Sequence, residues 1–355
     1  MLIFYWTLVS TFFLGILTRL SYDKRFRMLG IFWVILIAAI LSLVSGLRNG
    51  IGDTVYYMHS YKLIVENPSG FAGDKDFAFG LFCLILTNFS SDPQILIFVT
   101  AIITNTLNVI VFSKYRSYLE LQIFMYITAG YYFVTMNGIR QCLVASVLFL
   151  CTKFIINGDF KKYFIIVVIM STFHGSALIM IPVYFIVRQK AWSKKMIQFM
   201  IIAVIGVLMY NIISPIIFKL LQTTQYAGYS EYTEGGSSFL RTIINAIPVI
   251  LAYLKRDSLK ENWNESDVFV NIAIINLIFV TFGMFNWIFN RFTLYFQLYN
   301  YILVPFIIYK CFKGKERRLI CFIFIICYFL LFFFENVIFR NMTYRSKYTL
   351  NQFFY

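Results

Sequence analysis

The sequence predicts an all-α, polytopic integral membrane protein with about 10 to 13 transmembrane helices, some of them short, broken or re-entrant. Of the 355 residues, 60% are hydrophobic and only 13% are charged. The apolar residues come in long blocks and not in stripes along one helix face, which is typical of helices surrounded by lipid. No stretch remains for a soluble domain, so residues 1–355 are predicted to form a single membrane domain.

Apolar blocks that approach the roughly 20 residues needed to cross a bilayer are predicted to be transmembrane helices. They lie at about 2–20, 28–47, 93–113, 118–136, 139–156, 196–217, 239–254, 267–289, 292–310 and 319–336. The positive charges of the first block follow it, whereas those of a signal peptide come first. This block is therefore predicted to be an uncleaved helix whose N-terminus lies outside.

The net charge of +15 arises from lysines and arginines in short links between apolar blocks. This is the positive-inside pattern, so the charge requires no nucleic-acid partner. The basic links lie at 23–27, 113–117, 158–162, 188–195, 255–265 and 310–318. If all are cytoplasmic, region 76–90 must be re-entrant or interfacial, and region 163–187 must be a broken hairpin with His174 and Gly175 near its tip. The tail fits less well, because Arg340, Arg345 and Lys347 would lie outside.

Neither a disulfide framework nor a metal site or cofactor is predicted. The six cysteines lie in or beside apolar blocks and form no CxxC pair, and the chain has only two histidines. Asp74 and Asp76 are interpreted as ordinary loop carboxylates, because no second cluster of oxygen ligands accompanies them.

The predicted topology gathers a few polar groups at the outer face. They are Arg48, Asp53, Arg140, His174 and Arg291. The outer loops, 48–76 and 218–238, are predicted to face the substrate. Both are rich in tyrosine, whose flat ring and hydroxyl suit a sugar as well as a lipid headgroup region.

The segment from Arg48 to Asp53 is the most specific local feature. Gly50 and Gly52 allow the backbone to approach a ligand and present its N–H groups, and the arginine fork matches phosphate oxygens. The alternative is that Arg48 extends to the membrane interface while the other residues only form the turn that ends a helix.

Three further residues have a functional and a structural interpretation. Arg140 and Arg291 are candidates for binding an anion, or are interfacial anchors. His174 lies in a broken apolar hairpin and has a side chain suited to proton transfer, or is a packed histidine bonded to a neighbouring helix.

Four segments, taken in order and spacing, resemble the EpsG family, which belongs with the Wzy-type polysaccharide polymerases. These segments are LRNGIGDTVYY, FAFG, NGIRQCLVASVLFL and STFHGSALIMIPVY. The resemblance covers roughly 48–184, with a weaker match in NRFTLYF around Arg291. The chain has Gly-Asp-Thr where Gly-Thr-Asp is usual, and Ala78 where an acidic residue is common, which leaves Asp76 as a shifted substitute.

The resemblance implies a glycosyltransferase that polymerises polyprenyl (undecaprenyl) pyrophosphate-linked oligosaccharides into a capsule, exopolysaccharide or O-antigen. The reaction would occur at the outer face of the bacterial cytoplasmic membrane, without a metal or cofactor. Besides membrane lipids, the pathway's flippase and chain-length regulator are expected partners. The implied roles are pyrophosphate or substrate binding, catalysis by His174 or Asp53 as the base, and sugar contact. The substrate-binding candidates are Arg48, Gly50, Gly52, Tyr56, Tyr57, Tyr61, Gln141 and Arg291, and Arg140 is grouped with the catalytic residues.

Other functions remain open from the sequence. A flippase for the same lipid-linked sugar would place charges along a central cavity and show inverted repeats, and no repeat is visible. A membrane acyltransferase would resemble a pattern with a histidine and an arginine near the first helix, and that segment has no histidine. A non-catalytic assembly subunit would make every candidate residue an anchor.

Overall fold

The computed structural model describes residues 1–21, 24–69, 76–115, 118–221 and 236–348. Within these residues all regular elements are helices, which confirms the all-α prediction. Asp74 and residues 222–235, which include most of the predicted tyrosine-rich loop, lie outside the described residues.

Nineteen α-helices follow one another in the described residues. They are α1 (Leu2–Leu20), α2 (Arg27–Gly46), α3 (Thr54–Glu66), α4 (Phe77–Thr87), α5 (Gln94–Ser113), α6 (Leu119–Thr128), α7 (Tyr131–Asn137), α8 (Ile139–Leu150), α9 (Thr152–Asn157), α10 (Phe160–Ser171), α11 (Met180–Val187), α12 (Lys194–Leu208), α13 (Tyr210–Leu221), α14 (Phe239–Leu254), α15 (Arg256–Asn262), α16 (Ser266–Phe282), α17 (Ile288–Phe292), α18 (Gln297–Phe306) and α19 (Gly314–Phe332). Short 3₁₀ segments cover Lys24–Phe26, Gly175–Ile179 and Thr293–Tyr295, and π-helical turns cover Ile307–Cys311 and Phe333–Phe339.

Four described helices are long and apolar enough to cross a membrane, or up to six if each of two bent pairs counts as one crossing. The predicted count of 10 to 13 is not confirmed, because several apolar blocks are broken. Block 118–136 divides at Gly130, whose φ of 88° ends α6. Block 196–217 bends by 90° between α12 and α13. The four continuous helices are Leu2–Leu20, Arg27–Gly46, Gln94–Ser113 and Gly314–Phe339.

The chain divides into two compact units, and the first comprises Met1–Thr152, Ile165–Leu178 and Lys313–Tyr355. In it α2 packs on α1 and α5, α1 packs on α6, and α5 packs on α8. Glycine permits the close approach of these helices, since a Cβ on Gly15 would lie 2.6 Å from the Glu120 Cα.

Contacts within the first unit show which helix ends lie together. At one end the Gln94 amide donates to the carbonyls of Gly46 and Arg48, at 2.6 and 3.0 Å. At the C-terminal end of α1, Arg19 pairs with Glu120 at 2.9 Å. The chain therefore leaves α2 and enters α5 at the same end, which is what the charge pattern requires of region 76–90.

The segment predicted as a broken hairpin is broken at the expected place. Helix α10 ends at Ser171, and after His174 a 3₁₀ segment leads into α11. In the second unit, Tyr163 at the start of α10 packs against Tyr184 of α11, with ring centroids 5.5 Å apart. The start and the end of this segment are therefore neighbours, with the break at the far end.

The second unit comprises Lys153–Phe164 and Ile179–Phe312. In it α16 packs against α14 and α18, and also contacts α11 and α12. Trp263 lies between Phe269 and Phe306, with centroids 4.4 Å from each. The Asn271 amide donates to the carbonyls of Val187 and Gln189, at 3.1 and 2.6 Å, and so fixes α16 to the end of α11.

Candidate active site

Asp76, Arg140 and His174 meet in the first unit, although they come from distant parts of the chain. Arg140 Nη1 lies 2.8 Å from Asp76 Oδ2, and His174 Nδ1 lies 3.5 Å from the same oxygen. The imidazole is close enough for an ion pair when protonated, but it is not aligned as a hydrogen bond in this structure. The three side chains form one acid, base and cation group, named here the Asp76 cluster.

The local fold brings the members of this cluster together. Asp76 immediately precedes α4, and the Ala78 N–H donates to the carbonyl of Thr172 at 3.0 Å. This backbone bond joins the start of α4 to the break that carries His174. Arg140 lies in the first turn of α8, with its guanidinium 5.8 Å from the Tyr57 ring centroid and 5.7 Å from that of Phe79. The two rings make cation–π contacts with the guanidinium and help to fix its position.

The cluster has polar capacity that its own contacts do not use. Asp76 is 6% exposed, and in the described part of the chain its Oδ1 atom has no hydrogen-bond partner. The Arg140 side chain is 34% exposed, so part of its guanidinium is accessible. Buried polar atoms are normally paired, and this arrangement is therefore suited to a bound polar or anionic group.

Arg48, predicted as a substrate contact, is only 1% exposed and its donors are bonded to protein. Nε donates to the Thr54 hydroxyl at 3.0 Å, Nη2 donates to the Met136 carbonyl at 2.6 Å, and Nη1 donates to the Ser45 carbonyl. Burial lowers its pKa to about 10, which still leaves it charged at neutral pH. The structure therefore places the Arg48 side chain in the protein interior, where it joins the ends of α2, α3 and α7.

The loop that follows Arg48, residues 49–53, is named here the glycine loop, and it is fixed to the end of α7. Gly52 has a φ of 53°, and the Asp53 N–H donates to the Asn137 side-chain oxygen at 2.8 Å. The Asp53 side chain is exposed at the start of α3 and is not part of the Asp76 cluster contacts. Asn137 therefore couples this loop to the α7–α8 junction that carries Arg140.

Replacing Gly52 with alanine is expected to destabilise this loop. The φ of 53° is unfavourable for a residue with a side chain, and the added Cβ would lie 2.3 Å from the Asn137 side-chain oxygen. We expect a loss of about 1–2 kcal/mol from the backbone conformation alone, measured as a lower melting temperature in detergent. Gly138→Ala is the matched control, since nothing lies within 4 Å of the added Cβ. Equal melting temperatures for both variants would contradict this account.

The three predicted sugar-contact tyrosines have different environments. Tyr56 is 64% exposed, whereas Tyr57 and Tyr61 are buried. The Tyr61 hydroxyl donates to the Ser90 carbonyl at 2.8 Å, and burial raises its pKa to about 12. Tyr57 packs against Arg140, so among the three only Tyr56 is open to a ligand. Gln141 is also buried, and its amide donates to the Ser176 hydroxyl at 3.3 Å.

Arg291 is the predicted site residue that belongs to the second unit. It lies in α17, with its guanidinium 4.9 Å from the Trp287 ring centroid.

Two residues of this region were not among the predicted site residues. Asp76 is the centre of the cluster, and its only signal was the expectation of an acidic residue near FAFG. Asn137 fixes the glycine loop, and its signal was its place directly before the Gly-Ile-Arg segment. Sequence spacing alone did not pair Asp76 with Arg140, because 64 residues separate them.

Comparison with known families identifies a matching family model. The model of the EpsG family matches residues 31–350, a range that includes the glycine loop and the Asp76 cluster. Searches of curated proteins and of solved structures found no match.

Proposed function

Because the chain belongs to the EpsG family, we propose that it is a glycosyltransferase that polymerises lipid-linked oligosaccharide repeat units into a surface polysaccharide. The family is one of membrane proteins of polysaccharide biosynthesis, and the chain has several helices apolar enough for a membrane. The observation that carries the polymerase proposal is the Asp76 cluster, which combines a base, an orienting carboxylate and an accessible cation.

In the proposed reaction His174 is the general base. Its Nδ1 faces Asp76, so Nε2 is the ring nitrogen available to accept the proton of the attacking sugar hydroxyl. The Asp76 carboxylate lies 3.5 Å from Nδ1, where its charge favours the ring orientation with Nδ1 toward it and stabilises the imidazolium that forms. Asp53, the other predicted base, has no comparable partner in the cluster. We therefore assign the proton transfer to His174.

Arg140 is proposed to stabilise the leaving group. As the acceptor oxygen bonds to the anomeric carbon of the donor, the bond from that carbon to the pyrophosphate breaks. The pyrophosphate departs as an anion on its polyprenyl carrier. A guanidinium positioned by Asp76, Tyr57 and Phe79 can stabilise the developing charge. Arg48 then serves to position the loop and Tyr57 to position the cation, while Tyr56 is the tyrosine available to contact sugar.

The proposed orientation places this end of the first unit at the outer face of the bacterial cytoplasmic membrane. Phe4, near the N-terminus, packs edge-on against Tyr344 with ring centroids 5.7 Å apart. Tyr344 in turn donates to the Val44 carbonyl, at the end of α2. An N-terminus outside therefore agrees with a site outside, and the basic links would lie at the opposite, cytoplasmic side.

Reconstitution tests the function directly. Purified protein in proteoliposomes that contain undecaprenyl pyrophosphate-linked repeat units is expected to convert single repeats into a ladder of longer chains. Transbilayer movement of the repeats without chain growth would overturn the polymerase proposal and favour a flippase. Neither growth nor movement, with a correctly folded protein, would favour a non-catalytic assembly subunit.

Asp76→Asn is expected to lower the polymerisation rate by at least ten-fold while leaving the protein folded. The amide keeps the size of the carboxylate but loses the charge that orients His174 and pairs with Arg140. Chain growth in proteoliposomes measures the rate, and a melting curve reports folding. Asp159→Asn is the control, because the Asp159 side chain is 41% exposed and its contact with Lys162 is long, at 3.5 Å. A normal rate in Asp76→Asn would remove Asp76 from the mechanism.

A further inference from the structure

A pocket of about 400 Å³ lies in the first unit, between the glycine loop and the segment after the last helix. Its size is at the lower end of the ~300–1,000 Å³ range of small-molecule sites. The lining residues come from the loop, from α7 and from the tail, and are Gly50, Ile51, Gly52, Phe133, Val134, Asn137, Arg340, Asn341, Met342 and Thr343.

The roof of this pocket is the C-terminal strap, defined as residues 340–346, and it is held at both ends. Near the start of the strap, the Met342 N–H donates to the Asn336 carbonyl at 3.0 Å. At the end of the strap, the Asn49 N–H donates to the Arg345 carbonyl at 3.0 Å, and the Ser346 hydroxyl donates to the Leu47 carbonyl at 2.6 Å. The pocket is thus preformed by the fold, which reduces the entropy lost on binding.

The lining has the mixed character that a sugar ring requires. Gly50 and Gly52 are exposed and add no side chain to the lining, which leaves room for a ring, and Thr343, an exposed residue in the middle of the strap, contributes a hydroxyl. Ile51, Val134 and Met342 contribute apolar surface for the C–H faces of a ring. None of the lining residues is acidic and Arg340 is basic, so hydroxyl groups would meet amides, hydroxyls, a guanidinium and backbone atoms.

We propose that this pocket is the subsite for the acceptor sugar ring, an inference that rests on the proposed polymerase function. Asn137 lines the pocket and lies three residues before Arg140, so their Cα atoms are at most about 11 Å apart at ~3.6 Å per residue. A sugar bound under the strap is therefore close to the Asp76 cluster. The cluster performs the chemistry, while the strap and the glycine loop hold the acceptor.

Photolabelling tests the pocket without requiring polymerisation. Purified full-length protein carrying Thr343→p-benzoylphenylalanine is mixed with radiolabelled repeat-unit oligosaccharide, released from its lipid carrier by mild acid. We expect labelling at least ten-fold above that of Lys347→p-benzoylphenylalanine, a nearby exposed position outside the pocket. Unlabelled oligosaccharide should compete. Equal labelling at both positions, or labelling only by the intact lipid-linked repeat, would overturn the proposal.

A kinetic variant separates this proposal from the polymerase assignment. Gly50→Trp fills the pocket from the loop side and is expected to raise the KM for the acceptor at least ten-fold, whereas Lys347→Trp should not. His174→Ala should abolish polymerisation yet retain the Thr343 photolabel. If the wild-type protein fails to polymerise but the Thr343→p-benzoylphenylalanine variant is labelled, the polymerase assignment fails and the sugar site stands. If the wild-type protein polymerises and Gly50→Trp leaves the KM for the acceptor unchanged, the pocket proposal fails alone.

Discussion

His174→Ala is expected to lower the polymerisation rate by about 10²–10⁴-fold, the usual contribution of a general base. The variant removes the imidazole that faces Asp76 at 3.5 Å and leaves the carboxylate and Arg140 in place. Single repeats should accumulate on the lipid carrier while long chains disappear. The rate is measured as chain growth in proteoliposomes, with protein amount and melting temperature recorded for each variant.

His59→Ala is the matched control for this experiment. His59 is the only other histidine in the sequence, and its side chain is exposed on α3. Added imidazole should partly restore the rate of His174→Ala, because a free base can occupy the vacated space, and it should not change His59→Ala. If His174→Ala unfolds, His174→Gln gives the same comparison with a polar group retained. A normal rate in a folded His174 variant would exclude His174 as the base and leave Asp53 as the candidate base.

The long helices are the part of the fold that hydrophobic blocks predict well. The predicted block 2–20 is α1, block 239–254 is α14, and block 93–113 begins one residue before α5. These boundaries depend on local composition, because an uninterrupted apolar block has few alternatives to a helix in lipid. The break beside His174 was also predictable, since each half of that region is too short to cross a bilayer alone.

Features set by tertiary contact were not predictable in the same way. The bend of 90° between α12 and α13 occurs at Met209, whereas Gly206 and Pro215, the breaking residues of this block, lie three and six residues away from it. The pairing of Asp76 with Arg140 depends on how α4 meets α8, which one sequence does not encode as a pattern. An arginine after an apolar block fits an interfacial anchor, an anion ligand and a buried structural residue equally well. Only the burial of Arg48 in the structure distinguishes the third role from the other two.

Arg48→Ala is therefore expected to destabilise the first unit, with loss of activity as a consequence. Arg48 is 1% exposed and donates to Thr54, Ser45 and Met136. Its removal leaves those buried acceptors without donors, and each buried acceptor left unsatisfied costs about 1–3 kcal/mol in free energy of unfolding. Arg48→Lys should also fail, because an ammonium group lacks the planar fork that reaches several acceptors at once.

Melting temperature in detergent, measured beside chain growth, distinguishes support from catalysis at this position. Arg345→Ala is the control, since the Arg345 side chain is exposed and its contact to Asn49 uses the backbone carbonyl. We expect a large fall in melting temperature for both Arg48 variants and little change for Arg345→Ala. An Arg48→Ala protein with normal melting temperature and no polymer would show that Arg48 contacts pyrophosphate directly. That result would also mean that the glycine loop opens during the reaction, because the Arg48 guanidinium is buried in this structure.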